Sequence, residues 1–107
     1  MEVITAQTLA GLIKTEAGLF RLIDVREPEE WQICRLPGAE LIPLSEFTVR
    51  APVELKKDEQ IILYCHHGIR SGNAGNFLLK TGYNKVRHLE GGIDAWSLRV
   101  DPSVRKY

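Results

Sequence analysis

The stretch Ile61-Ile62-Leu63-Tyr64-Cys65-His66-His67-Gly68-Ile69-Arg70 decides how this chain is read. Its opening is an unbroken apolar run, the pattern of a strand covered on both faces and therefore central in a parallel sheet. The character then changes abruptly to a thiol, two imidazoles, a glycine and a guanidinium. Ser71 is read as the N-cap of a following helix that carries Ala74, Phe77, Leu78 and Leu79 and stops at Gly82. A strand running through a short polar loop into a helix is half of a βαβ unit.

Outward from this centre the same alternation repeats. Thr5 caps a helix with a broad apolar face of Ala6, Leu9, Ala10, Leu12 and Ile13, and Gly18 lies beyond its end. Leu19–Val25 reads as a strand ending in Asp24-Val25-Arg26. A short helix then starts at Glu27-Pro28-Glu29-Glu30-Trp31, with proline in its first turn and acids at its positive end. Leu36-Pro37-Gly38 is a turn before a brief strand, Ala39–Ile42, and Ser45 and Glu46 open a helical turn that Pro52 is expected to limit. Toward the C-terminal side, Val86–Leu89 is the last strand, and Gly91-Gly92 leads into a helix through Ile93, Ala95 and Trp96. Val100–Tyr107 has no clear periodicity and reads as a packed or loose extension. The expected class is α/β, a small mostly parallel sheet flanked by helices on both faces. Sites in such sheets gather at the C-terminal ends of the strands.

Composition agrees with one domain, residues 1–107: 44% of residues are hydrophobic and 26% charged. Fourteen basic residues balance 14 acidic ones, which provides neither a basic footprint for nucleic acid nor attraction to an anionic membrane. No apolar run has the length of a signal peptide or membrane span, so the expected compartment is the cytoplasm. Cys34 and Cys65 are accordingly read as thiols before they are read as a bridge.

Cys65 holds the position where a sulfur is best activated. A loop curling around it can aim backbone N–H groups inward, and the next helix adds the positive end of its dipole. Both favour the thiolate, which is the nucleophile. The plain alternative is a buried cysteine serving as a small apolar cap on the strand. Gly68 permits tight curvature. Arg70 either contacts an anionic substrate or ties the loop to a carboxylate. His66 and His67 can hydrogen-bond a substrate or shuttle a proton, and as neighbours in a curled loop they are expected to point different ways. Asp24 is read as a cap or ion-pair partner, Glu27, Glu29 and Glu30 as a solvated helix start, and Cys34 as a structural or exposed thiol. Trp31 and Trp96 are read as packing. No metal site is expected, because Cys65, His66 and His67 are adjacent and lack the usual ligand spacing. Gly91-Gly92 lacks the lysine of a phosphate loop.

With these segments placed, the chain resembles the single-domain rhodanese family of sulfurtransferases. The resemblance runs through Ile23-Asp24-Val25-Arg26-Glu27 with Trp31, Leu36-Pro37-Gly38-Ala39, Ile42-Pro43-Leu44, Tyr64–Ser71, and Leu89-Glu90-Gly91-Gly92-Ile93 with Trp96. It implies that Cys65 carries a persulfide, that His66, His67, Gly68, Ile69 and Arg70 cradle it, and that Asp24, Arg26 and Ser71 support it. Cys34-Arg35 stands where the family usually has Gly-His, a departure that leaves the Cys65 loop intact. The implied reaction moves a sulfane sulfur from a small donor such as thiosulfate to a thiol or protein acceptor, with no cofactor.

Two other functions fit parts of the pattern. A phosphatase or arsenate reductase of the related cysteine-loop-arginine design needs one more residue than His66-His67-Gly68-Ile69 between the cysteine and the arginine, and this shorter loop leaves little room for phosphate. A non-catalytic interaction module on the same fold commonly loses the cysteine, which is kept here. Oligomeric state has no sequence signal.

Overall fold

The computed structural model describes Met1–Tyr107. The elements, numbered in chain order, are β1 (Glu2–Ile4), α1 (Ala6–Thr15), β2 (Arg21–Asp24), α2 (Pro28–Ile33), β3 (Glu40–Leu41), α3 (Leu44–Glu54), β4 (Ile61–Tyr64), α4 (Ile69–Lys80), β5 (Val86–Leu89) and α5 (Gly92–Arg99). The five strands form one sheet in the order β1-β5-β4-β2-β3, and every pairing is parallel. The expected α/β architecture is therefore what the chain adopts.

The apolar run of β4 is explained by its place in the middle of that sheet. Alternate side chains of a strand leave opposite faces. Ile61, Leu63 and Cys65 enter one core with Phe47 and Ala51 of α3 and Ala74 and Leu78 of α4. Ile62 and Tyr64 enter the other with Ala6 and Leu9 of α1 and Ile93 and Trp96 of α5. Leu63 is fully buried, so truncating it to alanine removes about 2–5 kcal/mol of packing.

Several local expectations change in the folded chain. The segment Glu2–Ile4, unassigned from sequence, is an edge strand paired with Arg87–Leu89. It is too short to show a period and is held by its partner. Pro52 does not limit α3 but lies inside it, and the helix continues to Glu54. Proline there forfeits only one backbone bond near the end, while Phe47 and Ala51 anchor the helix on the core. Ser71 is not the cap of α4: Gly68 takes that place and the helix begins at Ile69. Thr5 does cap α1, accepting a hydrogen bond from the Thr8 N–H at 3.2 Å. No helix is long and apolar enough to cross a membrane.

Candidate active site

β4 delivers Cys65 to the C-terminal edge of the sheet, where its side chain is 1% exposed. Gly68 adopts φ 115°, a left-handed conformation that turns the chain back toward the strand it has just left. The Gly68 N–H donates to Cys65 Sγ at 3.0 Å and the Ser71 N–H at 3.3 Å. The earlier start of α4 makes this possible, because Ser71 in the first helical turn still has an unused N–H. Ser71 Oγ accepts from the Cys65 thiol at 3.5 Å and lies 2.9 Å from His88 Nδ1 on β5. Burial holds the His88 pKa below its ordinary value, so this imidazole is neutral near pH 7.

The loop is fixed from outside by the start of α5. The Ile93 N–H donates to the Cys65 carbonyl at 2.9 Å and the Asp94 N–H to the His66 carbonyl at 3.1 Å. This approach requires glycine at position 92, where φ is +64° and a Cβ would lie 2.3 Å from the His66 oxygen and 2.5 Å from that of Cys65. Two helices thus frame one loop, α4 with N–H groups on the sulfur and α5 with N–H groups on the carbonyls.

Asp24 and Arg26 form a fully buried ion pair at 2.7 Å beneath the site. Arg26 also donates to the Cys34 carbonyl at 2.6 Å and to Tyr107 Oη at 2.7 Å. Burial opposes its charge, and the bonds to Asp24 and Tyr107 more than offset this, raising its pKa. Asp24 and Arg26 accordingly brace the edge from which Cys65 emerges. Cys34 is partly buried, and its thiol donates to the Arg105 carbonyl at 3.2 Å; both cysteines are free.

Arg70 does tie the loop to a carboxylate. Its Nη1 and Nη2 meet Glu30 Oε1 and Oε2 at 2.6 and 2.9 Å. Glu30 further accepts from Tyr107 Oη at 2.8 Å and from the Glu27 N–H at 3.1 Å. The Arg70 hydrogen bonds, against the opposing effect of burial, hold its carboxyl down at about 2. Reading Glu30 as a solvated helix start is therefore corrected. No local pattern could reveal its role, because its partner is remote in sequence.

His66 and His67 do not point apart: their rings stack with centroids 3.9 Å apart, and Tyr107 stacks on His66 at 3.9 Å and 12°. A third aromatic ring from the tail holds the pair together, which adjacency alone could not show. Burial and then the neighbouring His67 lower the His66 pKa. Ligand atoms of His66, His67 and Asp94 lie within 4.8 Å of one another, a grouping the adjacency argument did not anticipate. It is the set that could hold a metal, although Lys106 Nζ already reaches Asp94 at 3.3 Å. Ile69 contributes its backbone to the loop while its side chain is exposed. Tyr107, Glu30, Asp94 and His88 are the site neighbours that sequence reasoning missed. For His88 a signal existed, a titratable side chain inside a short buried strand.

A parallel α/β sheet with a cysteine cradled after its central strand defines the class, and residues 5–99 match the family described as rhodanese-like domain. The chain belongs to the rhodanese-like family. It is 41% identical over 90 residues to the rhodanese-like/PpiC domain-containing protein 12, chloroplastic, of Arabidopsis thaliana, covering 81% of this chain and 30% of that protein. It is 30% identical over 101 residues to the thiosulfate sulfurtransferase GlpE of Pseudoalteromonas translucida, covering 94% of this chain and 92% of that one. The crystal structure of a rhodanese-related protein from Thermoplasma volcanium superposes with a TM-score of 0.82 at 31% identity, covering 94% of each chain. The chain thus spans less than a third of the plant relative and nearly all of the bacterial one.

Proposed function

We propose that residues 1–107 act as one sulfurtransferase domain in which Cys65 carries the transferred sulfur as a persulfide. The observation that supports this most directly is the convergence of the Gly68 and Ser71 N–H groups on Cys65 Sγ at 3.0 and 3.3 Å. Such a cradle stabilises negative charge on sulfur, both on the attacking thiolate and on the terminal sulfur of a persulfide. The family and its sulfurtransferase relatives support sulfur transfer in general.

In the first step the Cys65 thiolate attacks the outer sulfur of a donor, thiosulfate or a persulfide. A sulfur–sulfur bond forms, the donor's own bond to that sulfur breaks, and sulfite or a thiolate departs with the bonding pair. In the second step an acceptor thiolate attacks the outer sulfur and Cys65 leaves as a thiolate. Cyanide can replace the acceptor in the test tube, giving thiocyanate. The enzyme alternates between two covalent forms, so the kinetics are ping-pong. Sulfur is itself the group moved, and the scheme has no step for a cofactor. Partners are a small sulfur donor and a thiol or protein acceptor, and two free thiols suit a reducing compartment such as the cytoplasm.

The test is intact mass after treatment with thiosulfate, and separately with a persulfide, for the wild type, Cys65→Ser and Cys34→Ser. One added sulfur that is lost to cyanide and missing only from Cys65→Ser supports the reading. No added sulfur from either donor overturns it in favour of a docking module.

A further inference from the structure

The site holds a guanidinium that would suit an anionic donor, yet that cation is already matched. Arg70 spends both terminal nitrogens on the two oxygens of Glu30, at 2.6 and 2.9 Å. Two neighbouring cations are paired as well, Arg26 with Asp24 at 2.7 Å and Lys106 with Asp94 at 3.3 Å.

Resting on the persulfide reading above, we propose that Glu30 sets donor specificity: by neutralising Arg70 it suits the site to sulfane donors of at most one negative charge and disfavours dianionic thiosulfate. Glu30 is a positioning residue that acts through Arg70. It is well placed for this, because α2 supplies its backbone, the Glu27 N–H and Tyr107 Oη hold its carboxylate, and Arg70 meets it face to face. The cradle itself does not discriminate. The Gly68 and Ser71 N–H groups meet sulfur whatever the donor's remaining charge, so the choice falls to the charges at the mouth. A dianion gains about twice the Coulomb energy of a monoanion from an unpaired cation and loses twice as much when that cation is compensated. Because the Glu30 carboxyl is held at about 2, the compensation persists across the whole neutral range.

Methanethiosulfonate tests the idea cleanly. It is thiosulfate with one anionic oxygen replaced by methyl, and Cys65 would take its outer sulfur while methanesulfinate leaves with the bonding pair. The readout is the ratio of kcat/KM for thiosulfate to that for methanethiosulfonate in the wild type, Glu30→Gln and Glu30→Asp. The expected ratio rises roughly tenfold in Glu30→Gln, mainly through a lower thiosulfate KM, and stays within about twofold of the wild type in Glu30→Asp, which keeps the charge. An unchanged ratio in Glu30→Gln, or an equal rise in both variants, overturns the proposal. The wild type alone supplies a further check should Glu30→Gln not fold. Because Glu30 compensates Arg70, thiosulfate kcat/KM changes less than about twofold between low and high salt, whereas a steep fall would reveal an attracting unpaired charge and overturn the proposal. Failure of the underlying reading looks different: neither donor then places sulfur on Cys65 in any of these proteins.

Discussion

Two strand-to-helix turns stand side by side at the C-terminal edge of the sheet, one leaving β4 and the other leaving β5. Both enter their helix through a left-handed glycine, Gly68 at φ 115° and Gly91 at φ 74°. Both leave N–H groups of the first helical turn without intrahelical partners, as every helix does. In the turn after β4 those groups face a sulfur, with Gly68 and Ser71 donating to Cys65. In the turn after β5 they face backbone, with Ile93 and Asp94 donating to the carbonyls of Cys65 and His66. One local design therefore yields a cradle in one place and a strut in the other. What lies opposite the amides makes the difference, and the cradle keeps its shape because the strut engages its outward carbonyls.

The comparison is broken most severely at the sulfur. Replacing Cys65 by serine leaves the cradle but removes the nucleophile, so thiocyanate formation from thiosulfate and cyanide is expected to fall by at least about a thousandfold. Cys34→Ser, assayed alongside, should retain turnover, and a Cys65→Ser protein that still turns over would detach the cradle from the chemistry.

Next comes the strut. Gly92→Ala puts a Cβ 2.3 Å from the His66 oxygen at φ +64°, so clash and strain act together. Urea denaturation should show a loss of about 3 kcal/mol or more. Gly68→Ala is the matched change in the cradle, and there the nearest atom to an added Cβ is 3.8 Å away. Strain acts alone, and the same measurement should show about 1–2 kcal/mol. Equal losses at the two glycines would mean that the close approach at Gly92 does not fix the loop.

A finer distinction concerns Ser71, which serves the cradle with both its N–H and its hydroxyl. Ser71→Ala keeps the N–H and removes the oxygen between Cys65 and His88. Once Cys65 ionises, the Ser71 hydroxyl can turn to donate to the sulfur, so losing it should slow alkylation of Cys65 by iodoacetamide at neutral pH by about threefold to tenfold. An unchanged rate would assign the whole effect to the backbone.

The smallest effect is expected in acid. The folded Glu30 carboxyl is lowered to about 2, against 4.5 for the free group, so its pairing with Arg70 contributes full stability above the unfolded value and loses it as pH falls from 4.5 toward 2. The pair is partly exposed and screened, so the loss is on the order of 1 kcal/mol. Stability measured between pH 5 and pH 2.5 should fall less steeply in Glu30→Gln than in the wild type, and parallel curves would deny the pair its hold on the loop.

Most of the scaffold was legible in the chain because it rests on local chemistry. The unbroken Ile61–Tyr64 run announced a strand covered on both faces, Val86–Leu89 matched its strand in full, and Thr5 and Gly82 marked helix ends. Cys65 stood out because strand, loop glycine and helix follow one another without interruption. Pro52 and Ser71 misled for a shared reason: each was judged by its local preference, which core packing of α3 and the backbone turn at Gly68 overrode.

Sequence by itself determined the α/β alternation, the central strand and the thiol at its end, since each depends on residues within a few positions of one another. Only the tertiary structure decided which groups meet that thiol's surroundings. Arg70 finds Glu30 across forty positions, Tyr107 covers His66, and α5 braces the loop that α4 begins. Such contacts have no signature in spacing. They come from the order in which parallel strands lie beside one another, which brings the ends of β2, β4 and β5 and the tail to one edge.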